Sequence, residues 1–287
     1  MAPATPLGSG AATAAAPARS RPGPLRLGRP VALVPARREP APLDGTELRF
    51  FTDFLAAFGE RPDHDRYARG GGPGFIDLAG ALLDGLPHPP PPLDTVVLAY
   101  HLPDRDVVEV AGCYLADRLP GTPEVLSLAG QGVGAPFTAL RLLDRMRAAG
   151  HSAAGAVLVL DQTTVPYADP DVRTGPGSDA AVLLHDDGGP AMELLAVDEQ
   201  QADPRAALRS LTRRYPDTRI VAGRMLAERL DPRESAEVVR GPANALCTSA
   251  WSPLADAWDA ERPTLVADFD PHAGRLFTAL LAPAAAR

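Results

Sequence analysis

An α/β fold with parallel strands is what this sequence predicts, and three observations predict it. Between 95 and 161, short apolar runs alternate with amphipathic stretches. Thr95–Tyr100 (TVVLAY), Glu124–Ala129 and Ala156–Asp161 (AVLVLD) read as buried strands, with helices at Val107–Leu119 and Ala135–Ala149 between them. Strands joined through helices pair in parallel, since only a long crossover returns the chain to the same end of a sheet. A weaker version of the rhythm restarts after 204, so the chain reads as two copies of one layered unit. The 287 residues suffice for one large or two small domains with a real core.

The remaining elements follow in order. Arg26–Pro35 (RLGRPVALVP) reads as a first strand, and Gly45–Gly59 as a helix ending on glycine. Residues 63–74 are charged and glycine-rich and read as a loop. Phe75–Leu86 is a short amphipathic helix, and Pro87–Pro92 (PHPPPP) a stiff connector. Ala180–His185 and Met192–Val197 read as a hairpin around Asp186-Asp187-Gly188-Gly189. Then come a helix at Pro204–Tyr215, a strand at Thr218–Val221, a helix at Pro253–Asp259, and closing strands at Thr264–Asp268 and Leu276–Leu281. The expected division is a disordered Ala/Pro-rich tail at 1–30, a first half at 31–198 and a second half at 199–287.

Composition excludes several classes. The formal charge of −8 argues against a general nucleic-acid binder. All 28 basic residues are arginine, which removes Schiff-base, pyridoxal-phosphate and Walker A chemistry. Cys113 and Cys247 cannot build a disulfide framework and fit a reducing cytoplasm. The N-terminal stretch lacks the apolar region of a signal peptide, and no apolar run is long enough to span a membrane. The six histidines show no metal-ligand spacing, and there is no C-x-x-C. His64, His88 and His151 fall in polar or Pro-rich loops and need no role.

The functional question centres on Leu126–Leu140 (LSLAGQGVGAPFTAL), a strand, a glycine-rich turn and a helix without Cys, Ser or Lys in the turn. One reading is a dinucleotide loop, Gly130-x-Gly132-x-Gly134, with Asp161 on a later strand. Asp161 lies 31 residues beyond Gly130, whereas the acidic partner belongs about 20 residues on, so a nicotinamide cofactor is not expected.

The other reading comes from the order of the flanking segments: DTVVLAYHLPD (94–104), VAGCYLADRLPG (110–121), the nucleophile-like stretch 126–150, AVLVLDQ (156–162), RTGPGSDAAVLLHDDGG (173–189), CTSAWSPLADAWD (247–259) and PTLVADFDPHAGRLFTALLA (263–282). In that order they resemble the 3-oxoacyl-acyl-carrier-protein synthase III branch of the thiolase-like condensing enzymes. The resemblance covers 94–198 and, more weakly, 218–282. It implies a layered αβαβα fold in two pseudo-repeated halves.

The resemblance also implies a Cys–His–Asn set, which this chain lacks. The nucleophile would fall at Gln131, Gly132 or Val133, none of which forms a thioester. The His would fall at Gly223. The Asn would fall at Cys247, with Asn244 three residues early. The glycine-rich turn before the last strand has become Asp270–Arg275, and the segment 200–219 is shorter than the family's covering helices require. These losses point to a short, catalytically silent member, similar to the inactive subunit of the heterodimeric alkylquinolone-forming synthase. No cofactor or metal is implied. The implied partner is an active ketosynthase III-type subunit or a second copy, with an acyl carrier protein as a further candidate.

Three alternatives stand beside it. Cys247, His272 and Asp268 could form a new acyltransferase or hydrolase set. Arg141, Arg145 and Arg147 could form a carrier-docking patch rather than a solvated helix face. Trp251 and Trp258 could belong to a partner interface rather than pack one helical face. Subunit association is expected at Ala156–Leu160 and the loop 162–175, because an unpaired apolar strand needs cover.

Overall fold

The computed structural model describes residues 23–36, 42–108, 110–230 and 238–285. The expected tail therefore lies mostly outside the described residues. The elements, numbered in chain order, are β1 (Arg26–Leu27), β2 (Val31–Leu33), α1 (Gly45–Ala56), α2 (His64–Gly70), α3 (Phe75–Asp84), β3 (Thr95–Tyr100), α4 (Ala111–Arg118), β4 (Glu124–Leu128), α5 (Ala135–Ala148), β5 (Gly155–Asp161), β6 (Ala180–His185), β7 (Met192–Gln201), α6 (Pro204–Arg214), β8 (Arg219–Ala222), α7 (Arg224–Ala227), β9 (Val238–Arg240), α8 (Ser252–Asp256), β10 (Thr264–Asp270) and β11 (Arg275–Pro283).

Two sheets result, ordered β2-β6-β5-β3-β4 and β1-β7-β11-β10-β8-β9. Alternation along the strands makes them layers. Val157 and Val159 of β5 face the central core, whereas Ala156, Leu158 and Leu160 face an outer one. The central core holds α5 and Trp251 and Leu254 between the two sheets. α3 and α4 cover the outside of the first sheet, through Leu78, Leu82 and Leu115. α6 and α7 cover the outside of the second, through Leu208 and Leu226. The order across the molecule is α–β–α–β–α. Both faces of β3, β5 and β6 are buried, which is why these strands are apolar without a break.

Several expectations change. The single first strand is two: β1 pairs with β7 in the second sheet, and β2 with β6 in the first. Pro30 has no N–H for a ladder, and Gly28 is where the chain turns between sheets. A Cβ on Gly28 would sit 2.4 Å from the Asp187 carboxylate. The expected hairpin does not pair with itself either. β6 lies between β5 and β2, while β7 lies between β11 and β1. The boundary expected after 198 falls inside β7. Residues 64–70 form a helix rather than a loop, because Asp63 caps the Arg66 N–H at 2.8 Å and Gly71 takes a left-handed φ of 59°. Finally, β5 is not an edge. It is central, and the exposed edge is β4.

The two halves are fastened at the C-terminal end of β5. Asp161 is buried there and accepts the backbone N–H groups of Leu246, Cys247 and Thr248, each at 2.9 Å, and the Thr248 hydroxyl at 2.7 Å. One carboxylate of the first half thus holds the turn that opens the last segment of the second. Asp161→Asn places an N–H₂ against donors and leaves one of them unpaired. Its expected cost is about 1–3 kcal/mol in urea unfolding, as for leaving one buried donor unsatisfied.

Candidate functional site

The glycine turn sits where the sequence put it. Residues 132–134 make one 3-10 turn leading into α5. Gly130 and Gly132 have φ of 68° and 50°, so these glycines serve the turn itself. Gly134 serves packing: a Cβ there would lie 2.6 Å from the Phe277 ring. Gln131 is exposed, whereas Val133 is in the central core.

Cys247 is brought to this turn from the other half. Its thiol donates to the Gly132 carbonyl at 3.2 Å, and it is 2 % exposed. Burial, with the charges of Asp161 and Asp268 adding to it, pushes the thiol well above its ordinary range. A nucleophilic cysteine needs the opposite shift. In the native protein, iodoacetamide should therefore modify exposed Cys113 at least about 100-fold faster than Cys247, read by peptide mass spectrometry.

The position expected for a histidine is closed. A Cβ on Gly223 would lie 1.9 Å from Oδ2 of Asp268, so no larger residue fits while that carboxyl stays. Asp268 is 1 % exposed and caps α7: its Oδ1 accepts the Leu226 N–H and its own neighbour's, Phe269, both at 2.9 Å. Oδ2 lies 3.1 Å from the Ser249 hydroxyl, which is also 2.7 Å from the Leu246 carbonyl. One hydroxyl proton cannot serve both acceptors. Burial raises Asp268 to about 7, although the N–H groups of Phe269 and Leu226, the Ser249 hydroxyl that donates to it and the Arg224 charge all act to lower it.

The sign of the pH dependence follows. Asp268 holds its proton more tightly folded than unfolded, so stability is greatest below the unfolded value near 3.8 and falls as pH rises toward 7. Asp268→Asn mimics the protonated form. Thermal unfolding should show the native protein losing stability between pH 4 and pH 7, on the order of a few kcal/mol, with most of that slope absent in the variant. Asp268→Ala should be less stable than either.

The set Cys247–His272–Asp268 is not assembled. His272 lies exposed in the β10–β11 turn, with Nε2 3.0 Å from Oδ1 of Asp171. Asp268 is committed to α7 and Ser249, and the Cys247 thiol to Gly132. Asn244 donates to the Pro176 carbonyl at 3.0 Å. The remaining space between the halves is filled by rings, with Phe137 5.1 Å from Trp251 and 5.8 Å from Phe277. A cavity of only about 10 Å³, the size of one water, remains beside Asp161.

Of the other candidates, Arg145 is exposed on α5, and the rest hold contacts within the fold. Arg141 pairs with Glu199 at 3.4 Å, and Arg147 donates to the carbonyls of Gly23 and Ala153. Trp251 is buried in the central core and Trp258 packs against it. Sequence reasoning missed Arg224, which is 3 % exposed, donates to the carbonyls of Ala245 and Asp171, and is lowered chiefly by burial. It also missed His101, bonded to Asp169 at 3.0 Å. No metal-holding cluster occurs among the described residues, and no helix among them is long and apolar enough to cross a membrane.

No protein-family model and no curated protein sequence matches the chain. Solved structures do. The chain is similar to 3-oxoacyl-(acyl carrier protein) synthase III (FabH) of Pseudomonas aeruginosa PAO1, with TM-score 0.54 and 19 % identity, covering 92 % of this chain and 100 % of that one. It is similar to the acyltransferase ChlB3, with TM-score 0.57 and 15 % identity over 91 % and 98 % of the two chains. The ishigamide ketosynthase/chain length factor gives TM-score 0.53 and 17 % identity over 80 % and 85 %. The chain therefore has the thiolase-like fold of the ketosynthase III type.

Proposed function

We propose that this chain is a catalytically silent ketosynthase III-like subunit that pairs with and supports an active condensing enzyme in acyl or polyketide assembly. The observation that carries the reading is Gly223 against Asp268. A buried carboxyl occupies the volume that a catalytic His would need, while the turn at 131–133 offers no nucleophile. The aromatic filling around Phe137 agrees, since an acyl group would have to displace it. The acyltransferase or hydrolase alternative is disfavoured by the same geometry, because Cys247 and His272 hold different partners.

The fold also supports pairing. β4 ends the first sheet, and its residues are exposed or half-buried, unlike those of β3 and β5. An exposed edge is stabilised when another chain's strand covers it. Val108, Val110 and Phe58 and the α1 residues Phe50 and Phe54 are exposed apolar side chains as well. Asp161, by contrast, is internal and unsuited to testing an interface.

The test is co-expression with a full-length, Cys-containing ketosynthase III-type homologue. Sedimentation should show one heterodimer. Leu126→Asp, on the β4 edge, should weaken it by about 2 kcal/mol, roughly thirtyfold. After incubation with acyl-coenzyme A, mass spectrometry should find the acyl group on the partner alone. A stable adduct on this chain, or a monomer whose mass the partner never changes, overturns the proposal.

A further inference from the structure

The segment 162–178, between β5 and β6, is fastened by two histidines from opposite halves of the fold. His101, at the end of β3, places Nε2 3.0 Å from Oδ2 of Asp169. His272, in the β10–β11 turn, places Nε2 3.0 Å from Oδ1 of Asp171. The two carboxylates are adjacent on the segment, and Oδ1 of Asp169 accepts the Asp171 N–H at 2.9 Å, so they move together. Beneath lies the small cavity lined by His101, Gln162, Thr163, Val172, Ser178 and Asn244. The other ring nitrogen of His101 is buried and has no protein partner there.

We propose that 162–178 is a proton-dependent strap along the seam between the halves, latched by His101–Asp169 when the His101 ring is charged and loosened when it is neutral, with His272–Asp171 a second, exposed contact. This holds whether or not the chain pairs with a condensing enzyme. Protonation of His101 turns its neutral hydrogen bond to Asp169 into a charge-assisted one. The groups facing His101 are Asp169, Asp171 and Asp161, all acidic. Those around His272 and Asp171 are Asp270, whose Oδ1 accepts the His272 N–H at 2.8 Å, and Arg224, which donates to the Asp171 carbonyl. Arg173 is paired with Glu228, which lies 4.0 Å from Arg224.

Electrostatics sets the window. Burial alone would lower His101, but the bond to Asp169 and the charges of Asp169, Asp171 and Asp161 outweigh it and raise it. Asp169 is lowered: burial opposes this, and the His101 bond and the Asp171 N–H overcome it. A raised histidine stabilises fully below its ordinary 6.5 and ceases to as pH rises through its folded value. A lowered carboxylate stabilises above its ordinary 3.8 and ceases to as pH falls through its folded value. The latch is therefore tightest in mild acid.

Hydrogen exchange followed by mass spectrometry on peptides covering 165–177 tests this, at pH 5.5 and 8.5 and corrected for intrinsic rates. Opening of the strap should increase at pH 8.5, about tenfold for each pH unit by which His101 is displaced upward. It should exceed any change in the β3 and β5 peptides, which report the general pH dependence set by Asp268. His101→Gln retains a donor without the charge and should abolish most of the response. The exposed substitution His272→Gln serves as the comparison and should leave most of the response in place. Should His101→Gln fail to fold, the native imidazole of His101 can be titrated by NMR. Equal strap protection at both pH values, a parallel loss in strap and core, or a His101 titration at or below 6.5 overturns the proposal.

Discussion

Everything between the halves of this molecule is arranged around one buried carboxylate. Asp161 ends β5 in the first sheet and gathers three consecutive N–H groups and one hydroxyl from 246–248. A buried carboxylate is costly unless its oxygens are satisfied, and this turn satisfies them. The contact fixes where the second half begins its last segment. It sets Cys247 against the glycine turn, Ser249 against Asp268, and Trp251 against Phe137.

The centre of the fold is accordingly filled in a correlated way. Gly223 admits the Asp268 carboxyl, Asp268 caps α7 and leans on Ser249, and Gly134 admits Phe277. Gly223 is matched by Asp268 from the neighbouring strand of its own sheet, and Gly134 by Phe277 from the other half. A cavity in such a place would cost stability in proportion to its volume, and the one beside Asp161 is only about 10 Å³. The glycines at 134 and 223 therefore supply contacts of a solid core. The edge strand β4 and the strap border that core, against which Leu128 and Val172 pack.

The alternation of apolar runs and amphipathic stretches by itself determined β3, α5 and β5 and their parallel order, because local periodicity reports burial directly. The segment order also carried the fold class, and the glycine turn was legible as strand, turn and helix. Sequence alone likewise determined that 131–133 holds no nucleophile, since that needs only residue identity. It misread 64–70, where the Asp63 cap and Gly71 stop were present but outweighed by local charge.

Only the tertiary structure decided the rest, because it depends on which groups distant in the chain come together. Sheet membership divided β1 from β2 and β6 from β7, a choice made by partners more than 150 residues away for β1 and β7. Strand order made β4 rather than β5 the edge. Asp161 and Asp268 read as strand-terminal acids; burial against 246–249 gave them their roles. Cys247 and His272 looked like members of one set because both fell near the old centre. Side-chain direction sent the thiol inward to Gly132 and the imidazole outward to Asp171, and no one-dimensional spacing encodes that direction.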